Sequence, residues 1–299
     1  MTGILLGLVA ACGWGVVDFY GGVVSRRWPP LWVVLCSMCL AALSLLVVIL
    51  LRGAAFVFGD DGYWAMAAGT LGVFSLTGFF RLLARGNMAV SAPITALTTA
   101  IIPVLFGILR SGLPASTQLL GIFTAFIAIP LVARGSENVP IQVILRNAAR
   151  TLWEPILVGI GFGLGLICMD QIDAEDLLAP LFIQRMTSIS LLLLILWLRP
   201  GLRRFQSAGM SPLLSQLRPV FIYLWVIAYS DLAANGAFIL ATQRGELSIV
   251  AVIGSLHPAI TVLMAHTIDN EQLHRAQTAG LALALVAIVL ISLRCWSEC

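Results

Sequence analysis

Asp18, Arg81, Arg185, Asp231 and His257 each stand inside an apolar run long enough to cross a bilayer. A charge at membrane depth costs about 2.5 to 3.5 kcal/mol on insertion scales, so such a group marks a partner and a task. Asp231 and His257 fall near the middle of successive runs and therefore at similar depth, and Arg185 is a few residues from the midplane of its own run. Together they could border one central cavity, where Asp231 or His257 binds a proton or a cationic group and Arg185 holds a carboxylate. An imidazole changes charge near neutral pH when unperturbed, which suits proton-coupled exchange. The competing arrangement is a buried Arg185–Asp231 pair that fixes helix packing, with His257 bonded to a backbone carbonyl or to Ser255. Asp18, near Trp14 and Tyr20, either lines the cavity or reaches water and has a structural or gating role. Arg81, in Phe79-Phe80-Arg81, can anchor at an interface through its long stem.

Neutral polar groups form a second layer. Thr95, Thr98 and Thr99 in one run, with Tyr229, Ser230 and Asn235 in another, can hydrogen-bond a solute without the cost of a buried charge. Threonines equally satisfy helix backbone and join helices, so each has a structural reading beside the functional one. Trp14 and Phe79 are either stacking surfaces or packing. Pro93, Pro103 and Pro258 remove helical donors and are expected to open or bend the helices that carry them.

Several chemistries have no support. The chain has no Lys, and therefore no Gly-x-x-x-x-Gly-Lys-Ser/Thr loop to cradle a nucleotide phosphate. His257, His266 and His274 have no His-Glu-x-x-His spacing, and no metal, cofactor or catalytic set can be read. Cys36 and Cys39 form a Cys-x-x-Cys, but at i, i+3 within an apolar helix they read as packing residues. Val9-Ala10-Ala11-Cys12 resembles a lipoprotein cleavage box. No basic region precedes it and the apolar run continues to Val24, so a retained first helix is expected.

The elements that must position these groups follow from composition. Of 299 residues 60% are hydrophobic and 10% charged, and the mean hydropathy is +1.01. An ordinary soluble domain is about 25% charged. The net charge of +3 is too small for a nucleic-acid surface, and the arginines sit between apolar runs where lipid headgroups lie. A helix needs about 20 apolar residues to span the hydrocarbon. The runs are Gly3 to Val24, Leu31 to Leu51, Tyr63 to Leu83, Val90 to Leu109, Thr117 to Val132, Leu152 to Met169, Leu178 to Leu198, Val220 to Leu240, Ser248 to Ala265 and Ala276 to Leu293. The fold class is an all-α membrane protein of about ten transmembrane helices. Only Ala133 to Thr151 and Arg199 to Pro219 are longer connections, and neither is long enough to be a domain.

The second half repeats the first. Shifting the third to fifth helices by 159 positions brings Arg85-Gly86 onto Arg244-Gly245, Ala92 onto Ala251, Ile94 onto Ile253, Gln118 onto Gln277, Gly121 onto Gly280 and Ala128 onto Ala287. A weaker shift of 150 pairs Gly13 and Gly15 with Gly163 and Gly165, and Pro30-Leu31 with Pro180-Leu181. Residues 1–133 and 152–299 are then two five-helix repeats joined by a connecting loop over 134–151. An odd number of crossings inverts the second copy, the design that many secondary transporters use for alternating access.

Gly13-Trp14-Gly15 with Asp18, the segment Ala84-Arg85-Gly86-Asn87-Met88-Ala89-Val90-Ser91-Ala92-Pro93, and Gln243-Arg244-Gly245-Glu246-Leu247-Ser248-Ile249-Val250-Ala251-Val252 resemble the EamA branch of the drug/metabolite transporter superfamily. Glu271, nine residues before Gly280, is similar to that family's acidic turn before a glycine-bearing last helix. The first half departs from it, with Gly112 at the matching position. The resemblance implies ten helices, a small-molecule substrate such as an amino acid, export or exchange through a central cavity, and a multi-pass place in the cell's inner (plasma) membrane. Protons are a candidate coupling ion. A multidrug or lipophilic-cation exporter on the same fold would need a larger aromatic cavity and an unpaired acidic residue; an intramembrane enzyme would want clustered His and carboxylates or a nucleophile near the interface, and a structural scaffold would show no ligand-dependent stabilisation. Arg26, Arg27, Arg85, Arg134, Arg146, Arg150, Arg199, Arg203, Arg204, Arg218 and Arg275 fall on one face, against Arg52, Arg110, Arg244 and Arg294 on the other. The positive-inside rule then puts both termini outside, whereas the resemblance implies both inside for many relatives.

Overall fold

The computed structural model describes residues 1–26, 28–53, 58–84, 88–133, 152–198 and 210–297. The Arg85-Gly86 pair, the connecting loop at 134–151 and the arginines at 27, 134, 146, 150, 199, 203 and 204 lie outside the described residues. The helices are α1 (Thr2–Ser25), α2 (Pro30–Arg52), α3 (Asp60–Ala84), α4 (Met88–Ser111), α5 (Ser116–Ala133), α6 (Trp153–Asp170), α7 (Leu178–Leu198), α8 (Met210–Thr242), α9 (Leu247–Gly254), α10 (His257–Ile268) and α11 (Arg275–Ser297). They supply ten spans long and apolar enough to cross a membrane, α9 and α10 sharing the span Leu247–Ile268. Every backbone N–H and C=O in hydrocarbon must be bonded within its own segment, which is why such runs fold as helices.

Two elements differ from the sequence expectation. Helix α8 begins at Met210, so part of the expected loop up to Pro219 is helical. Pro212 stands in its first turn, where a missing N–H costs nothing. The ninth span is broken: α9 stops at Gly254 and α10 starts at His257. Pro258 has no N–H to give the Gly254 carbonyl, and its ring crowds that same carbonyl, so the ladder cannot continue. By contrast α4 runs unbroken through both Pro93 and Pro103.

Side chains sort by size as membrane packing requires. Ala10, Ala65, Ala100, Ala125, Ala128, Ala234, Ala241, Ala251 and Ala287 are fully buried between helices, whereas Leu5, Leu43, Leu51, Leu109, Phe123, Ile222 and Leu285 are more than half exposed. Lipid rewards no apolar burial, so helices associate by close approach of small residues and leave large ones to the acyl chains.

Helix contacts repeat across the two halves. As α1 packs on α8, so α6 packs on α3; as α1 packs on α9 and α10, so α6 packs on α4; as α2 packs on α8, so α7 packs on α3. The equivalent helices α5 and α11 lie against each other, as do α2 and α7. Glycines fix the register. A Cβ at Gly121 would lie 2.7 Å from Ile291 Cγ1, and one at Gly280 would lie 2.7 Å from Val132 N, two contacts that exchange under the 159-residue shift. A Cβ at Gly13 would meet Ser230 O and Ala234, and one at Gly161 would meet Leu71 O and Ser75, again equivalent pairs under that shift. Gly15 approaches His257 O and Ile260, and Gly163 approaches Thr99 O and Ile102. In three dimensions Gly13 and Gly15 therefore correspond to Gly161 and Gly163, two positions short of the 150-residue alignment of the first helices.

Candidate functional site

Glycine spacing on α1 seats the chain's central polar groups. Gly13 and Gly15 bring the α1 backbone onto α8 and α10, where a Cβ would lie 2.7 Å from Ala234 Cβ and 2.5 Å from Ile260 Cβ respectively. Between them, Trp14 donates its indole Nε1–H to Asn235 Oδ1 at 3.1 Å. One helical turn along the same face, Asp18 Oδ2 lies 2.7 Å from His257 Nδ1, though out of line for a hydrogen bond. The Trp14 ring stands edge-on to the His257 ring at 6.4 Å. His257 therefore faces Asp18, not Ser255 or a backbone carbonyl.

On α8 the four-residue spacing puts Asp231 and Asn235 on one face, and Asn235 Nδ2 reaches Asp231 Oδ2 at 3.4 Å. Arg185 comes in from α7 and bridges Asp231 Oδ2 through Nη1 at 2.8 Å, with Met38 Sδ of α2 at 3.3 Å. Its side chain is 3% exposed. The other two guanidinium nitrogens, Nε and Nη2, are buried with no hydrogen-bond partner among the described residues. Gln184 Oε1 and Ser255 Oγ are in the same position. A buried donor or acceptor left unbonded costs about 1 to 3 kcal/mol, more when charged, so a further hydrogen-bond partner for these groups would be stabilising.

These side chains open onto one cavity of about 170 Å³. Trp14, Asp18, Arg185, Asp231, Asn235 and His257 line it, together with Gln184, Ser188 and Ser255. Thr95 and Thr99 also line it, but their hydroxyls donate to Pro155 O at 3.2 Å and Thr95 O at 2.8 Å. Thr98 and Tyr229 are not among the lining residues. Thr98 donates to Ile94 O within its own helix and packs where Gly159 of α6 approaches. The Tyr229 hydroxyl shares a hydrogen bond of 2.6 Å with Ser44 between α8 and α2. Arg81 is exposed near the end of α3.

Gln184, Gly72 and Phe162 are among the lining groups that escaped the sequence reading. Gln184 sits beside Arg185 in mid-span, and its polarity at that depth was the available signal. Gly72 and Phe162 gave none, because in this composition another glycine or phenylalanine is unremarked until its neighbours are known. At one end of the bundle Arg110 of α4 bridges Asp170 of α6 at 2.8 Å, a contact between the two halves outside the cavity.

The family model described as "EamA-like transporter family" matches residues 1–134 and 155–293. No curated protein matches the chain. Among 25 matching chains of solved structures, one described only as a crystal structure of a protein has a TM-score of 0.72 at 13% identity and covers 98% of this chain and 96% of its own. At that identity the likeness shows the fold.

Proposed function

This chain belongs to the EamA-like transporter family, and we propose that it carries small zwitterionic metabolites, amino acids foremost, across the cell's inner membrane by alternating access to the Arg185–Asp231 cavity. The family is one of membrane transporters, and the ten spans give the chain a lipid environment and a small-molecule substrate. The finer reading rests on one observation: Arg185 is buried in the cavity wall with Nε and Nη2 unbonded while Nη1 holds Asp231.

A guanidinium binds a carboxylate through two parallel N–H donors, and here two donors are free. A substrate carboxylate arriving on them competes with Asp231 for the same cation. Separating a buried pair leaves each charge uncompensated, at about 3 to 5 kcal/mol when a partner is simply removed. A zwitterion replaces both partners at once, its carboxylate on Arg185 and its ammonium on Asp231, so the exchange is charge for charge. A plain carboxylate strands Asp231 and a plain lipophilic cation strands Arg185. Substrates of either kind are therefore disfavoured, which separates this reading from a multidrug or lipophilic-cation exporter.

Asp18 and His257 form a second acid–base pair on the same cavity, and Trp14 touches both pairs, through Asn235 and through the imidazole face. An acid–base pair on the cavity wall supports protons as the coupling ion.

Thermal stabilisation of the detergent-purified protein tests the reading with amino acids, their amides, their decarboxylated amines, and lipophilic cations. Stabilisation by the zwitterions alone, lost in Arg185→Ala and in Asp231→Asn, is expected. Equal stabilisation by the amines, or none by any zwitterion, would overturn it.

A further inference from the structure

The two halves share a backbone plan but not a chemistry at the cavity. With Ser230 equivalent to Leu71 and Ala234 to Ser75, Asp231 maps onto Gly72, Asn235 onto Leu76 and Phe238 onto Phe79. With Gly13 equivalent to Gly161 and Gly15 to Gly163, Trp14 maps onto Phe162 and Asp18 onto Leu166. The aromatic pairs confirm the mapping: Trp14 and Phe238 have ring centroids 5.4 Å apart, and their equivalents Phe162 and Phe79 stand at 6.2 Å. Gly72, Leu76, Phe79, Phe162 and Leu166 all line the cavity, as do Trp14, Asp18, Asp231 and Asn235. So the cavity-facing Asp18, Asp231 and Asn235 have Leu166, Gly72 and Leu76 as their equivalents, with an apolar side chain or none.

We infer that the apolar half is the side-chain pocket of the substrate, and that Gly72 sets how large a side chain it admits. The inference rests on the zwitterion reading for the head group. A Cβ built on Gly72 meets nothing within 4 Å, whereas the cavity-lining Gly69 of the same helix is pressed onto Gln184 O at 2.5 Å. Gly69 is a packing glycine; Gly72 leaves room. Leu76, Phe79, Phe162 and Leu166 line the same cavity, and none of them carries a charge. A substrate spanning the cavity then has its carboxylate and ammonium on the Arg185–Asp231 side and an apolar side chain on the Gly72 side. Small polar amino acids leave the apolar half unfilled and forfeit its contribution. Discrimination by apolar fit is worth about 10- to 200-fold per methylene, so one substitution at Gly72 is enough to reorder substrates.

The test is exchange in proteoliposomes of alanine, leucine and phenylalanine by the full chain, its Gly72→Leu variant and its Leu166→Ala variant, with KM and kcat measured separately. Wild type is expected to have a lower KM for leucine and phenylalanine than for alanine. Gly72→Leu should raise the phenylalanine KM at least about tenfold more than the alanine KM, and Leu166→Ala should shift preference toward the larger side chain. Equal effects on all three substrates in both variants would overturn the pocket. Stabilisation by indole, a neutral apolar probe, separates this from failure of the head-group reading. If no zwitterion is carried, indole stabilisation of wild type that is lost in Gly72→Leu still upholds the pocket; no indole stabilisation of wild type sinks it.

Discussion

Asp18 Oδ2 lies 2.7 Å from His257 Nδ1, a contact that ties the first helix of one half to the broken helix of the other. The break exists because Pro258 cannot continue the helix of Gly254, and it puts His257 at the start of α10, facing α1. Asp18 and His257 are each less than one-fifth exposed, so the surrounding medium screens their interaction weakly.

Asp18→Asn and His257→Gln should therefore couple. Thermal denaturation of the two single variants and the double variant is expected to give an interaction of about 0.5 to 3 kcal/mol, the range for side chains in contact. Additive effects would mean that the pair contributes nothing to holding α1 on α10.

The Arg185–Asp231 bridge separates packing from function. Asp231→Ala leaves a buried guanidinium without its carboxylate and should cost about 3 to 5 kcal/mol. The double variant Arg185→Met, Asp231→Leu removes both charges and should recover most of that stability while losing all zwitterion-dependent stabilisation. Retained substrate response in the double variant would return the pair to a packing role.

Gly121 and Gly280 hold α5 against α11 and have no part in the cavity. Gly121→Leu drives a side chain into Ile291, and Gly280→Leu into the backbone of Val132. Overpacking of this kind costs about 1 to 3 kcal/mol, with Gly280 the worse because its nearest neighbour is backbone at 2.7 Å, whereas the backbone nearest Gly121 is Ala287 O at 3.0 Å. The measured Tm should fall in that order, while KM of the folded fraction stays that of wild type.

The Arg110–Asp170 bridge predicts a small effect. Arg110 is 55% exposed, and Asp170, though 7% exposed, keeps the hydrogen bond that Gln171 Nε2 donates at 2.8 Å, so Arg110→Gln should change stability by no more than about 1 kcal/mol. A loss as large as that of Asp231→Ala would show that this end of the bundle carries more of the contact between halves than its exposure allows.

Composition and run length determine by themselves that this chain crosses a membrane as ten helices, because hydrocarbon leaves a lone segment no other way to bond its backbone. The Arg-Gly and Gln-x-x-Gly repeats likewise carry the family resemblance in one dimension. Costly groups are legible too: an arginine or aspartate in mid-span stands out because lipid cannot solvate it. What one dimension leaves open is which costly groups meet. Asp18 and His257 are separated by most of the chain, and only the approach of Gly15 to Ile260 brings them together. Thr98 and Thr99 are neighbours in sequence, yet only Thr99 reaches the cavity, because successive residues of a helix point about 100° apart. The emptiness beside Gly72 is a property of what surrounds it, and a glycine's own identity carries no trace of its neighbours. Tertiary structure alone decided that Asp18, Asp231 and Asn235 face one cavity with Leu166, Gly72 and Leu76 at the equivalent places, because that depends on which helix faces meet across the halves.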